Sequence, residues 1–166
     1  MKKTKTRSRA TNGAAAPVVP LSRLYEQDEV AWLEQSASLI RQGQLSRLDV
    51  AHLAEYLEDM AKSERREVRS RLVVLLAHLL KWQYQPQKRT GSWEATVIHQ
   101  RTELEGFLDS ATLKNHALAI LPEAYAKAVK EAVAETRLKK SAFPENCPYS
   151  IDFLLSDQFP ESDVVD

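Results

Sequence analysis

The chain has 166 residues, 43% of them apolar, one cysteine, and a formal charge of zero from 23 basic and 23 acidic side chains. That length supports one sizeable core, since about two thirds of the unfolded surface is buried at this size, and the lone Cys147 excludes an internal disulfide framework and fits a reducing compartment. The longest apolar run, Leu72 to Leu80, contains His78 and falls far short of the ~20 residues that cross a bilayer.

Residues 1–20 hold Lys2, Lys3, Lys5, Arg7 and Arg9 and no acid. They carry too little large apolar side chain to offset the entropy of ordering, and the charged start leads into Ala-Thr-Asn-Gly-Ala instead of the apolar stretch of a secretory signal. A disordered basic tail at 1–20 is expected, then one all-helical domain at 21–160 and a frayed end at 161–166. With the five tail cations set aside, 18 basic side chains face 23 acidic ones, a net −5. An acidic body does not track a phosphate backbone. Nucleic acid is therefore not an expected partner except through the tail Lys2–Arg9, and a cytoplasmic location without membrane contact is expected.

From Glu26 to Gln42 the residues Val30, Leu33, Ala37 and Ile40 recur at helical spacing, and Gly43 follows as a stop. Asp49 caps a second helix with the apolar line Val50, Leu53, Leu57 and Met60. Ser63 offers a new cap, so a break is expected there. A third helix to Gln85 aligns Val68, Leu72, Leu75, Leu79 and Trp82, and Val73, Leu76 and Leu80 widen the apolar arc until the helix must be surrounded. Pro86 ends it.

Ser92 is the expected cap of a fourth helix with Trp93, Val97, Leu104 and Leu108 inward. A short piece, Leu113 to Leu121, follows. Pro122 then suits the first position of another helix whose inward face is Tyr125, Ala128, Val129, Ala132 and Thr136. A short helix from about Ser150 to Leu155 precedes the tail. No alternating strand pattern is bounded by hairpin turns, so the fold class is all-α, a single-domain bundle of about six helices.

The order of segments is specific: LYEQDEVAWLEQSASLIRQGQ, LDVAHLAEYLEDM, RSRLVVLLAHLLKWQYQP, SWEATVIHQR, LPEAYAKAVKEAVAET and FPENCPYSIDFLL. Over residues 24–160 it closely resembles the bacterial all-helical family catalogued as domain of unknown function DUF29. The resemblance implies a helical fold and neither an activity nor a cofactor. Where that family tends to carry two adjacent glutamates, Glu55 is here followed by Tyr56, so a role for the carboxylate pair does not carry over.

Arg101 falls on the line of Val97, Leu104 and Leu108, where a guanidinium needs a partner. Glu58 is the first choice, ahead of Glu55, Glu135 and Asp28. His78, at the edge of the third helix's apolar arc, is expected to hydrogen bond a carboxylate or a carbonyl. Glu55, Glu58, His78, Arg101 and Glu135 together make the candidate polar network. As an alternative, Glu55 and Glu58 at i, i+3 with His78 form an incomplete metal ligand set that lacks the Glu-x-x-His pattern of metal-bearing bundles.

Trp82 and Trp93 are expected to lock two helices together, Tyr84 and Gln85 to face outward, and His52, His99 and His116 to lie exposed without a role. Helical patterning without a reactive constellation leads to an interaction or assembly module that binds a protein partner or itself, with no cofactor. The second reading is a metal-dependent enzyme or anion-binding bundle built on Glu55, Glu58, His78 and Arg101.

Overall fold

The structure, a computed structural model, describes residues 20–162, so the basic tail and the last four residues lie outside the described part. Among the described residues there are six α-helices and no strand: α1 (Leu21–Gln27), α2 (Glu29–Arg41), α3 (Val50–Tyr84), α4 (Gly91–Leu108), α5 (Ala111–Thr136) and α6 (Ile151–Leu155). None of them is long and apolar enough to cross a membrane. The described residues divide into two compact units, one up to Leu57 and one from Glu58 on, with the division falling inside α3.

In the first unit Asp28 ends α1 and opens α2, its carboxylate accepting the Ala31 N–H at 3.0 Å. Gly43, at φ +69°, supplies the left-handed residue that turns the chain out of α2. The buried line of α2 is Trp32, Ser36 and Leu39. It lies roughly a third of a turn from the expected line of Val30, Leu33, Ala37 and Ile40.

Trp32 decides this choice, because its indole carries the largest apolar area on the helix and is fully enclosed, edge-on to Tyr25 at 4.9 Å and to Tyr56 of α3 at 5.4 Å. Of the expected line, Val30 is 65% and Ile40 47% exposed, and Leu33 and Ala37 are half-buried between them. Val50, Leu57 and Met60 on α3, also expected to be buried, are exposed in the same way.

The break expected at Ser63 does not occur: α3 is one helix of 35 residues. No proline or glycine interrupts Val50–Tyr84, and the ion pairs Lys62–Asp59 at 3.0 Å and Arg71–Glu67 at 2.7 Å support adjacent turns. A capping serine competes with a continuing helix only where the backbone gains another partner, and none is offered here.

From Val68 onward α3 is the axis of the second unit's core. Leu72, Leu75, Leu76, Leu79 and Leu80 are fully enclosed with Val97 and Leu104 of α4, Ala128 and Ala132 of α5 and Leu154 of α6. Tyr84 and Gln85, expected outside, are buried, and the Gln85 amide donates to the Thr136 carbonyl at 3.1 Å.

The expected helix start at Pro122 is likewise absent, since α5 runs continuously through it. The carbonyl that proline deprives of a partner belongs to Leu118, an exposed residue, so the unmet acceptor falls on the open side of the helix. The predicted inward face of Tyr125, Ala128, Val129, Ala132 and Thr136 is buried throughout. The cap of α4 is Thr90, whose hydroxyl accepts the Trp93 N–H, instead of Ser92. Ser150 caps α6 by accepting the Phe153 N–H at 3.1 Å.

Continuity through Ser63 is open to direct test. Ser63→Pro is expected to cost about 3 kcal/mol in urea unfolding followed by helical circular dichroism, whereas Ser63→Ala stays within about 0.5 kcal/mol of the parent chain.

Candidate functional site

Arg101, on the buried face of α4, is only 6% exposed. Its partner is not Glu58, as the sequence suggests, but backbone: Nε donates to the Leu154 carbonyl at 3.0 Å and a terminal nitrogen donates to the Gln158 carbonyl at 2.6 Å. The guanidinium lies 5.2 Å over the Phe159 ring. Burial lowers its proton affinity, and the nearby Asp157 carboxylate partly restores it.

The physical reason for this partner set is the end of α6. The last carbonyls of a helix have no intrahelical donor and carry partial negative charge, so the Arg101 Nε–H satisfies one of them at Leu154, while the Gln158 carbonyl it also meets lies in the segment that follows the helix. Glu58 is exposed and lies 3.8 Å from Lys62 on its own helix. Its Coulomb gain there is that of a solvated surface pair.

His78 is half-buried, and its Nδ1 lies 2.9 Å from the Val74 carbonyl one turn earlier. A carbonyl only accepts, so in the neutral ring Nδ1 carries the proton and Nε2 keeps its lone pair. Burial holds the imidazole below its ordinary 6.5, the Val74 carbonyl opposes that shift, and the Lys81 charge reinforces it.

Lys81, one turn after His78, is 4% exposed. Its ammonium pairs with Glu135 of α5 and stands 4.6 Å over the Trp93 ring of α4. The structure thus joins Glu135, expected in a network with Arg101, to Lys81 instead. Lys81 escapes a helical projection because it lies opposite the apolar arc of α3. Only the packing of α4 and α5 around the end of that helix covers it.

Of the two tryptophans expected to lock two helices together, Trp93 of α4 takes part in a contact to α3 and Trp82 packs on the segment after α6 and on the loop after α3. Trp82 packs on Phe159 at 4.5 Å and under the Arg89 guanidinium at 4.7 Å, while Trp93 receives Lys81. In the first unit His52, expected to be exposed and without a role, is half-buried. Its Nδ1 is 2.6 Å from the Asp49 carboxylate and its ring stacks on Tyr25 at 4.3 Å. The spacing of Asp49 and His52, one turn apart at a helix start, was the available signal. His116 is also half-buried, whereas His99 is exposed.

Glu55 is exposed in the first unit. Among the described residues no three histidine, cysteine, aspartate or glutamate side chains gather at metal-binding spacing. The five candidate residues therefore do not form one network: Arg101 closes the end of α6, Glu135 neutralises Lys81, His78 bonds its own helix, and Glu55 and Glu58 are on the surface.

The sequence model of a family described as a domain of unknown function, DUF29, matches residues 24–160. No curated protein and no solved structure matches the chain.

Two expectations follow from this geometry. Arg101→Met leaves the Leu154 and Gln158 carbonyls without donors, and a loss of about 3 kcal/mol in urea unfolding is expected, with hydrogen exchange accelerated first after Leu154. His78 binds a proton less readily in the folded chain than in the unfolded one. The stability this confers is complete above pH 6.5 and is lost as pH falls from 6.5 through the lower folded value. His78→Gln should therefore reduce the loss of urea stability between neutral and mildly acidic pH.

Proposed function

The chain belongs to the family described as domain of unknown function DUF29, and from its open apolar helix faces we infer that it works as a protein interaction or assembly module. The observation that carries this reading is the stripe Val30, Leu33, Ala37 and Ile40 on α2, spaced for one helix face, with Val30 and Ile40 exposed while the core uses the neighbouring Trp32 line. Single exposed aliphatics are ordinary on any surface. A periodic set exposed at both ends and only half-covered at Leu33 and Ala37 is different, because i, i+3, i+7 anchors are how one helix seats in another polypeptide's groove.

The start of α3 repeats the pattern, with Val50 64% and Leu57 58% exposed and the half-buried Leu53 between them. A polypeptide partner, whether another protein or a second copy, matches aliphatic anchors of this kind. A metal or an anion would instead need converging charged groups. The cytoplasm suits the free thiol of Cys147.

The double variant Val30→Glu, Ile40→Glu places two charges on the open face without touching Trp32. Removing two buried aliphatic anchors is expected to weaken association about 100-fold, with an unchanged unfolding midpoint. The measurement is recovery of the partner by tagged protein purified from its native cell, with light scattering for self-association. A monomer in solution that brings down no reproducible partner counts against the reading.

A further inference from the structure

In the second unit, a cleft of about 700 Å³ opens between α5 and the loop around residues 140–145. We propose that it binds a small anionic amphiphile, a medium-chain fatty acid whose tail lies in the cleft and whose carboxylate meets Lys130 and Lys140. The volume is that of a small-molecule site, and the surface inside is mainly apolar, with Val129 at the base on α5 and Phe143 and Pro144 on the loop wall.

The loop is fastened to the helix by the Tyr125 hydroxyl, which donates to the Pro144 carbonyl at 2.8 Å. Burial raises the proton affinity of that phenol, so it remains a neutral donor committed to the loop. It shapes the wall and offers no charge to a ligand.

The charge stands at the rim. Lys130 comes from α5 and Lys140 from the turn Lys140–Ala142, so the two ammonium groups rise from the two walls. Among the described residues neither forms an ion pair or a hydrogen bond, although Glu145 shares the rim. Exposed Arg137 and Lys139, just before Lys140 in the chain, add positive charge. An apolar floor beneath two unpaired cations calls for a ligand with an apolar body and a single anionic end. A sugar phosphate would leave the floor empty, and a hydrocarbon would leave the cations unused. Each methylene buried in the cleft strengthens binding roughly fourfold.

The test titrates the full chain with sodium decanoate below its micellar concentration, using calorimetry and methyl NMR, beside decyltrimethylammonium of the same length. One saturable decanoate site is expected, with shifts at Ala126 and Val129 and at least tenfold weaker binding of the cationic amphiphile. Lys130→Gln and Lys140→Gln, both at exposed positions, should each weaken decanoate about three- to fivefold, as partly solvated pairs do. Ala126→Trp fills the cleft from an exposed helical position and should abolish binding. The proposal is overturned by the absence of saturable binding, by lysine variants that bind like the parent chain, by equal binding of the cationic amphiphile, or by shifts centred on Val30 and Ile40 instead of the cleft. The first three outcomes leave the interaction reading of the open α2 face untouched, whereas the last assigns the apolar ligand to that face.

Discussion

Enclosure of the second half of α3 is the constraint from which the rest of the larger unit follows. Leu72, Leu75, Leu76, Leu79 and Leu80 spread over one broad arc of the helix, and all are removed from water. A helix with so broad an apolar arc is stable only when several neighbours cover it. α4, α5 and α6 supply that cover. Ala124, Ala128 and Ala132 give α5 a small-residue face in this core, so much of the interior volume is filled by the aliphatic side chains of α3.

Such complete cover sets a demand on the polar residues at the end of that helix. Lys81 and Gln85 are taken out of water with everything around them, and each needs a partner from a neighbouring element. Glu135 and the Trp93 ring serve Lys81, and the Thr136 carbonyl serves Gln85. Both sets of contacts tie α3 to the C-terminal end of α5. Arg101 plays the corresponding part for α6, a helix of five residues too short to hold its own terminus. These buried polar contacts fix which ends meet, while the aliphatic core fixes how tightly they pack.

The periodicity of α3 and α5 was readable because their apolar positions are numerous and the buried arc is broad; Val68, Leu72, Leu75 and Leu79 on one helix and Tyr125, Ala128, Val129 and Ala132 on the other lie where the spacing puts them. On α2 apolar spacing points to the line that the core leaves more open, because spacing weighs Val30 and Ile40 equally with Trp32. The aromatic neighbours Tyr25 and Tyr56 that favour the Trp32 side lie on other helices. Pro122 and Ser63 misled for a related reason. Both are local signals for a helix boundary, and whether a boundary forms depends on whether an exposed carbonyl or a continuing hydrogen-bond ladder absorbs the cost.

Arg101 was legible as a buried charge, but its partners were not, because backbone carbonyls carry no sequence signature. Only the position of the α6 terminus reveals them. That identity of partner matters for function. A guanidinium matched to a lone carboxylate keeps donors for an incoming anion, whereas Arg101 directs two of its nitrogens to carbonyls and its face to Phe159. With Lys81 equally engaged, the interior charges of the second unit serve its own architecture. The cations left to meet a ligand stand at the surface, where Lys130 and Lys140 flank an apolar cleft. In the first unit what is left over is apolar, the α2 and α3 faces beside the Trp32 core. On the proposed readings, the chain would recognise its ligands through surfaces its cores leave unused, with the charge or apolarity of each surface selecting the class of partner.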